Sequence, residues 1–130
     1  MVLDTNVVVS AVISDSESRV LLKKGIENQF FMVTSDLILK EIATVLRRAK
    51  FKTAEDEIRR VVVALIRSSE VVTVKSNYDF VKDDSKDNII INTAYDGNAD
   101  FIVTGDKHLL KLKEFKNIQI ITIESMLKLL

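Results

Sequence analysis

Met1-Val2-Leu3-Asp4-Thr5-Asn6 is the stretch that decides the fold, because an apolar run passes abruptly into three polar residues and more valines follow at once. The run at residues 1–3 predicts a short buried strand. Asp4 is then the first polar side chain beyond the C-terminal end of that strand. Open α/β sheets bind their ligands at this edge, so we expect Asp4 either to take part in chemistry or to cap the helix that follows.

Composition limits the classes of protein that fit the chain. With 130 residues, of which 47% are hydrophobic, the chain can bury one continuous core, and we expect a single domain over residues 1–130. Acidic and basic residues balance at 19 each, which argues against a polybasic DNA-coating protein. The absence of cysteine and the single histidine, His108, exclude disulfides, thiolate zinc sites and multi-histidine metal sites. The charge-free stretch at residues 5–14 is too short to span a membrane, so we expect a soluble cytoplasmic protein.

Strand-like and helix-like patterns alternate along the rest of the chain. Short apolar runs predict four more strands, at residues 30–33, 71–74, 101–103 and 118–121. Helical patterns lie between them, at residues 17–24 with a stop at Gly25, in a helical hairpin over 35–68, from Asp87 to near Gly97, and at 106–113 and 124–130. Alternation of this kind favours a three-layer α/β/α fold with a parallel sheet.

Three acids stand where strands end or helices begin. Asp87 opens one predicted helix and Asp106 follows the strand at residues 101–103, so both resemble Asp4 in position. Each has a helix N-cap as its alternative explanation. Because the strand ends share one edge of a parallel sheet, we expect the three carboxylates to gather there. Like charges repel, and a hard divalent cation such as Mg²⁺ or Mn²⁺, which prefers oxygen ligands, relieves that repulsion.

Glu41 is a fourth acid that interrupts an expected pattern. It lies four residues after Leu37 and four before Val45, on a helical period where an apolar residue would serve the core better. A carboxylate on a buried face needs a cation or another partner. The same helix also allows an apolar stripe centred on Ile42, which Glu41 only flanks, and periodicity does not choose between the two.

Together these motifs resemble the PIN domain family of ribonucleases, most closely its small prokaryotic members that act as toxins of toxin–antitoxin pairs. In chain order the motifs are Val2-Leu3-Asp4-Thr5-Asn6-Val7, the lone helical Glu41, Asp84-Ser85-Lys86-Asp87-Asn88, and Ile102-Val103-Thr104-Gly105-Asp106-Lys107. The resemblance covers nearly the whole chain and implies a five-stranded parallel sheet of order 3-2-1-4-5 between helices. The chain departs from the family in having only three residues before Asp4, which leaves a very short first strand.

The resemblance also implies an activity and a set of site residues. It implies an endoribonuclease that depends on Mg²⁺ or Mn²⁺, with a possible antitoxin protein as partner. Separately from the resemblance, we expect a homodimer. The catalytic and metal-binding residues would be Asp4, Glu41, Asp87 and Asp106, supported by Asn6, Thr104 and Asp84.

RNA binding requires local basic or aromatic groups in a chain with no net charge. Basic residues for this role are Arg47, Arg48, Lys50 and Lys52 in one cluster, and Lys107 with Lys111 and Lys113 in another. An ordinary solvated surface is the alternative for both clusters. Tyr78, Phe80 and Tyr95 have the chemistry to stack on bases, although packing is the better explanation. His108 is expected to be an exposed residue and not a general acid.

Three other functions are alternatives to a metal-dependent ribonuclease. Aspartyl-phosphate phosphatases need a second acid two residues after the first, and this chain has Asn6 there. Receiver domains need an acid after the third strand and a lysine after the fifth, where the chain has Lys75 and Thr122. The non-enzymatic rival is a weak or inactive PIN-fold module that acts by binding RNA or protein. The helical hairpin over residues 35–68 and the apolar residues at 126–130 could form a homodimer face or a groove for an antitoxin helix, and core packing is an equally plain explanation for both.

Overall fold

Strands and helices alternate in the computed structural model, which describes residues 1–48, 51–79 and 85–130. The strands are β1 Val2–Leu3, β2 Met32–Ser35, β3 Ser69–Val72, β4 Phe101–Val103, β5 Glu114–Phe115 and β6 Ile118–Ile121. The helices are α1 Thr5–Ile13, α2 Glu17–Ile26, α3 Asp36–Leu46, α4 Glu55–Ser68, α5 Ser85–Asp96, α6 Lys107–Leu110 and α7 Ile123–Leu129. The predicted α/β fold is confirmed. Among the described residues, none of the helices has the length and hydrophobicity of a membrane span.

The predicted single five-stranded parallel sheet of order 3-2-1-4-5 is wrong in its continuity. Within the described residues β1 pairs with β4 and β4 with β6, all parallel, whereas β2 pairs with β3 in a separate parallel ladder. β2 lies beside β1, where the Val33 amide donates to the Met1 carbonyl at 2.9 Å. With only two residues, β1 is too short to continue this contact into a regular ladder.

β5 is an additional strand that the apolar pattern did not predict. It runs antiparallel to β6, with Phe115 opposite Ile118, so that Lys116 and Asn117 form a two-residue loop. Both loop residues have positive φ, at 45° and 69°, as the favoured type I′ hairpin requires. Asparagine tolerates this conformation well, but the more familiar Asn-Gly signal is absent and the strand is only two residues long.

β3 begins two residues before its predicted start and includes the polar residues Ser69 and Glu70. Its four residues pair one to one with β2, from Met32 to Ser35. Every residue of β3 is exposed or half-exposed, so this edge strand does not need the apolar run on which the prediction relied. The position of β3 therefore follows its pairing with β2 and not the apolar run at residues 71–74.

Gly25 and Gly97 allow close packing against β2. α2 continues through Gly25 to Ile26, so the predicted helix stop at Gly25 is wrong. A Cβ at Gly25 would lie 2.5 Å from the Met32 sulfur, and one at Gly97 would collide with the Val33 side chain. The left-handed residue after α2 is Asn28, with φ of 60°. Small size, rather than backbone freedom, is what these glycines contribute.

The connection between β3 and α5 is pinned to α5 by Asn92. This side chain is 6% exposed. Its Oδ1 accepts from the Ser76 hydroxyl and the Tyr78 amide, both at 2.9 Å, while its Nδ2 donates to the carbonyls of Tyr78 and Asn88 at 3.0 and 2.8 Å. One turn later, Asp96 Oδ2 accepts from two more backbone amides of the connection. The side chains of α5 therefore hold the described part of this connection in place.

Replacing Asn92 with alanine is expected to lower the free energy of unfolding by about 1–3 kcal/mol, because backbone groups of the connection lose their buried partner. Denaturant unfolding at neutral pH measures the change. Asn77→Ala is the matched control, since Asn77 lies in the same connection but is exposed. Equal stability of the two variants would show that Asn92 does not hold the connection in place.

Candidate active site

Asp4 lies at the junction of β1 and β4, directly after the first strand. Its backbone amide donates to the Val103 carbonyl at 3.0 Å, which aligns the ends of the two strands. The side chain is 6% exposed, and Oδ2 accepts a hydrogen bond of 2.7 Å from the Thr104 hydroxyl. Asp4 occupies the N-cap position of α1, but its side chain makes no capping hydrogen bond. Helix capping therefore does not explain this carboxylate.

Thr104 connects two of the acids through one buried hydroxyl. Its side chain is fully buried, donates to Asp4 and accepts from the Asp106 amide at 2.9 Å. Since a hydroxyl has a single proton and the Asp106 amide can only donate, the Thr104 proton points at the Asp4 carboxylate. The arrangement fixes the orientation of Asp4 and the backbone of Asp106 together.

Asp106 does cap a helix, as its alternative explanation predicted. Its Oδ1 accepts from the His108 amide at 2.7 Å at the start of α6. The negative charge of the Asp106 carboxylate nevertheless acts on Asp4, whose pKa it raises. The His108 side chain is exposed, as expected, and its contact with Asp106 is made through the backbone.

The pKa of Asp4 is raised above its ordinary value, chiefly because burial disfavours the charged form. The hydrogen bond from Thr104 lowers the pKa, and the negative charges of Asp106 and Glu41 raise it. Asp4 is therefore a carboxylate under repulsion from two neighbouring acids on different elements. A bound cation would remove both the repulsion and part of the cost of burial.

Glu41 lies at the margin of the apolar stripe of α3. The helix buries Ile38, Ile42 and Leu46, so the stripe is centred on Ile42 and Leu37 is 38% exposed. The Glu41 side chain is 18% exposed, and Lys86 Nζ lies 3.8 Å from its Oε1. Glu41 therefore flanks the apolar stripe and does not interrupt it. From this position its negative charge still acts on Asp4.

Asp87 lies in the first turn of α5 and is 4% exposed. The helix begins at Ser85, so Asp87 is inside it and is not its N-cap. The ion pair between Lys86 and Glu41 places this first turn beside α3. A buried hydrogen bond of 2.9 Å also joins Thr93 of α5 to Ser35, the last residue of β2 and the N-cap of α3. Asp84 lies outside the described residues.

Lys86 also lies near the acids, and no role for it was predicted from the sequence. Its side chain is 61% exposed and approaches Glu41 from the solvent side. The available signal was its position within Asp84-Ser85-Lys86-Asp87-Asn88, directly beside a predicted metal ligand. From the sequence alone, a lysine between two acids is expected to be a solvated surface charge. Its ion pair with Glu41 becomes visible only when α3 packs beside α5.

The remaining predicted contacts are spread over the surface. Arg47 pairs with Glu55 through two hydrogen bonds of 2.8 and 3.4 Å, and this contact lowers the pKa of Glu55. Arg48 and Lys52 are exposed, Lys107 is exposed directly after Asp106, and Asn6 is exposed at the start of α1. Lys50 lies outside the described residues.

The aromatic residues pack against one another, as the packing explanation predicted. The rings of Tyr78 and Tyr95 meet edge to face with centroids 4.9 Å apart, and Phe115 adds a similar contact to Tyr78 at 5.2 Å. Phe80 lies outside the described residues. Because Tyr78 is engaged on two sides, its ring serves the fold of this region.

Residues 1–108 match the family model of the PIN domain. The chain belongs to the PIN domain family. The match spans most of the chain and includes all four acids together with Thr104. PIN domains are generally nucleases that bind RNA and use divalent metal ions. A comparison with curated proteins finds no match.

The donor chemistry of this PIN domain fits a divalent cation. All four acids offer hard carboxylate oxygens, and Asp4 carries an unfavourable buried charge that a cation would compensate. Within the described residues no three acidic or histidine side chains are already gathered as a ready cluster for one metal ion. Mg²⁺ commonly keeps several waters and is bound through one or two protein carboxylates, so it does not require three acids in contact with it.

Proposed function

We propose that this PIN domain, over residues 1–130, is a divalent-metal-dependent endoribonuclease that hydrolyses phosphodiester bonds in RNA. The proposal rests chiefly on Asp4, whose carboxylate is buried at the strand ends and is repelled by the negative charges of Asp106 and Glu41. A purely structural acid at this position would be expected to have a basic partner or a capping role. Asp4 instead receives a neutral hydroxyl, which leaves its charge for a cation.

Asp4, Glu41, Asp87 and Asp106 are the residues that would hold one or two Mg²⁺ or Mn²⁺ ions. Such an ion supplies Lewis acidity, which lowers the pKa of attacking water and stabilises negative charge on the phosphate and the leaving oxygen. Thr104 holds the Asp4 carboxylate in one orientation through its 2.7 Å hydrogen bond. Asn6, exposed near Asp106, would orient water or substrate from the side, and Asp84 is a further supporting acid.

Lys86 would contact an RNA phosphate from the solvent side of Glu41. Arg48, Lys50, Lys52 and Lys107 are further contacts in this proposal, and Arg47 is less available because Glu55 already engages its guanidinium. Cations at these positions would offset the repulsion between RNA phosphates and the acids at the site.

Lys86→Gln is expected to weaken binding of single-stranded RNA and to reduce the slope of log affinity against log salt by about one phosphate contact. Fluorescence anisotropy over a salt series measures both quantities. Lys128→Gln is the control, because Lys128 is an exposed lysine that also pairs with a glutamate, Glu124, at 3.4 Å. An unchanged slope for Lys86→Gln would remove this residue from the RNA interface.

The proposed activity is tested by incubating the purified protein with labelled single-stranded RNA in EDTA, Mg²⁺ or Mn²⁺. We expect internal cleavage with either metal, none in EDTA, and restoration when excess Mn²⁺ is added back. Asp15→Asn serves as the control for loss of an exposed acid. RNA that stays intact with both metals, in the presence of folded protein, would contradict the proposal.

The proposal extends to a cytoplasmic toxin with an antitoxin partner and a homodimeric assembly. Its support is the family resemblance and a groove of about 530 Å³ between α3 and α4, whose walls include Leu39, Ala43 and Val62. An antitoxin segment or a second copy would fit an apolar groove of this kind. The alternative is a weak or inactive module that binds RNA or protein, and the observation on its side is the lack of a ready three-acid cluster among the described residues.

A further inference from the structure

A smaller groove opens beside Asp106. Its volume is about 340 Å³, and we call it the Asp106 groove. The volume is near the lower end of the roughly 300–1,000 Å³ that ligand pockets occupy. Its lining comes from α1, α2, the segment after β4 and the start of α7, and includes Asn6, Ser10, Ser18, Gly105, Asp106 and Ile123.

The lining of the Asp106 groove is neutral apart from Asp106 itself. Val7 and Ile123 supply apolar surface, while serine hydroxyls and the Asn6 amide can each donate and accept hydrogen bonds. A phosphate would be repelled by the Asp106 carboxylate unless a cation came between them. A neutral ring with polar edges, such as a base on its ribose, matches both the apolar walls and the hydrogen-bonding groups.

We propose that the Asp106 groove holds one unpaired nucleoside of the RNA, next to the phosphodiester bond that is cleaved. The inference rests on the proposed function, because Asp106 belongs both to the groove and to the proposed metal-binding acids. A nucleoside seated there would place its own phosphate beside Asp106. A base inside a duplex is stacked and paired and does not reach such a groove, so the nucleoside must be single-stranded.

Gly105 gives a way to narrow the groove without disturbing the fold. A Cβ at this position meets no atom within 4 Å, and the residue does not have positive φ. The Cβ of Gly105→Leu would therefore lie in open space at the lining of the groove. Ser10→Leu, on the α1 side of the groove, is a second variant if the first does not fold. Gln119→Leu adds an exposed leucine on β6, away from the groove, as the control.

The test compares an RNA oligonucleotide with copies that carry one abasic residue, either beside the mapped cleavage site or several residues away. In Mn²⁺ we expect the wild type and Gln119→Leu to lose about tenfold in kcat/KM when the abasic residue adjoins the site, in the range that one missing pocket contact produces. The distant abasic residue should have little effect. Gly105→Leu should cut the intact RNA about as slowly as the wild type cuts the abasic one, with little further loss on the abasic RNA.

Three outcomes would overturn the inference, two of them without touching the proposed function. If the wild type cuts intact and abasic RNA equally, or if Gly105→Leu and Ser10→Leu discriminate as strongly as the wild type, no nucleoside occupies the groove. Absence of cleavage by the wild type on every RNA, with either metal, would instead defeat the proposed function and the inference with it. Cleavage without discrimination separates failure of the groove from failure of the nuclease.

Discussion

Asp4→Asn is expected to lower the rate of RNA cleavage by about 100-fold to 1,000-fold, the loss that follows removal of one preorganised electrostatic group. Asparagine keeps the shape of the side chain and an oxygen that accepts from Thr104, but it removes the charge that would bind a cation. Initial cleavage rates in Mn²⁺, measured beside Asp15→Asn, quantify the effect. Retained cleavage by Asp4→Asn would show that this carboxylate is not part of the chemistry.

The same substitution is expected to raise the free energy of unfolding at neutral pH. Because the pKa of Asp4 is raised in the folded protein, protonation stabilises the fold, fully below the ordinary value of 3.8 and progressively less as pH rises through the folded pKa. At neutral pH the wild type therefore carries the whole cost of a buried charge, which asparagine avoids. The advantage of Asp4→Asn should shrink as pH falls toward 3.8.

Urea unfolding at a series of pH values, in EDTA so that metal binding does not contribute, measures this difference. A variant that is inactive yet more stable than the wild type is the pattern expected for a residue kept for function. If Asp4→Asn is instead less stable at neutral pH, Asp4 has a structural role that its contacts do not reveal.

Thr104→Val is expected to reduce cleavage by about 10-fold to 100-fold, the usual effect of losing a residue that orients a metal ligand. Valine fills the same buried space but neither donates to Asp4 nor accepts from the Asp106 amide. The free energy of unfolding should fall by about 1–3 kcal/mol, because these polar groups lose a buried partner. Thr104→Ser, which keeps the hydroxyl, is the control and should retain most activity.

The pH dependence of cleavage distinguishes this role from simple destabilisation. The hydrogen bond from Thr104 lowers the pKa of Asp4, so its removal should raise that pKa further. Since a cation binds the ionised carboxylate, the acidic limb of the pH–rate profile should move to higher pH in Thr104→Val but not in Thr104→Ser. An unmoved limb, with the same loss of rate, would mean that Thr104 supports only the fold.

Local patterns predicted most of the elements but not how the strands associate. Alternation of short apolar runs and amphipathic stretches predicted α/β architecture, and Met1-Val2-Leu3 placed a strand directly before Asp4. The break between β1 and β2 was not predictable, because a three-residue apolar run does not say how many residues will form a ladder. The apolar run at residues 71–74 predicted β3 two residues too late, because no residue of this edge strand is buried and its first two residues are polar.

The candidate site shows the same division between local signal and long-range contact. Acids at strand ends were visible in the sequence, but the hydrogen bond that orients Asp4 joins residues 100 positions apart. The ion pair of Lys86 with Glu41 depends likewise on the packing of α5 beside α3. For Glu41 both stripes were compatible with the period, and the core around Ile42 decided between them.

Calorimetric titration of Mn²⁺ into the wild type and Asp4→Asn is the most direct test of a divalent metal site at Asp4. The wild type should take up Mn²⁺ with a measurable heat of binding, and Asp4→Asn should bind at least about tenfold more weakly, as expected when a metal ligand is lost. Equal uptake by both proteins, or no uptake by the folded wild type, would contradict the central claim that Asp4 and its neighbouring acids bind the catalytic cation.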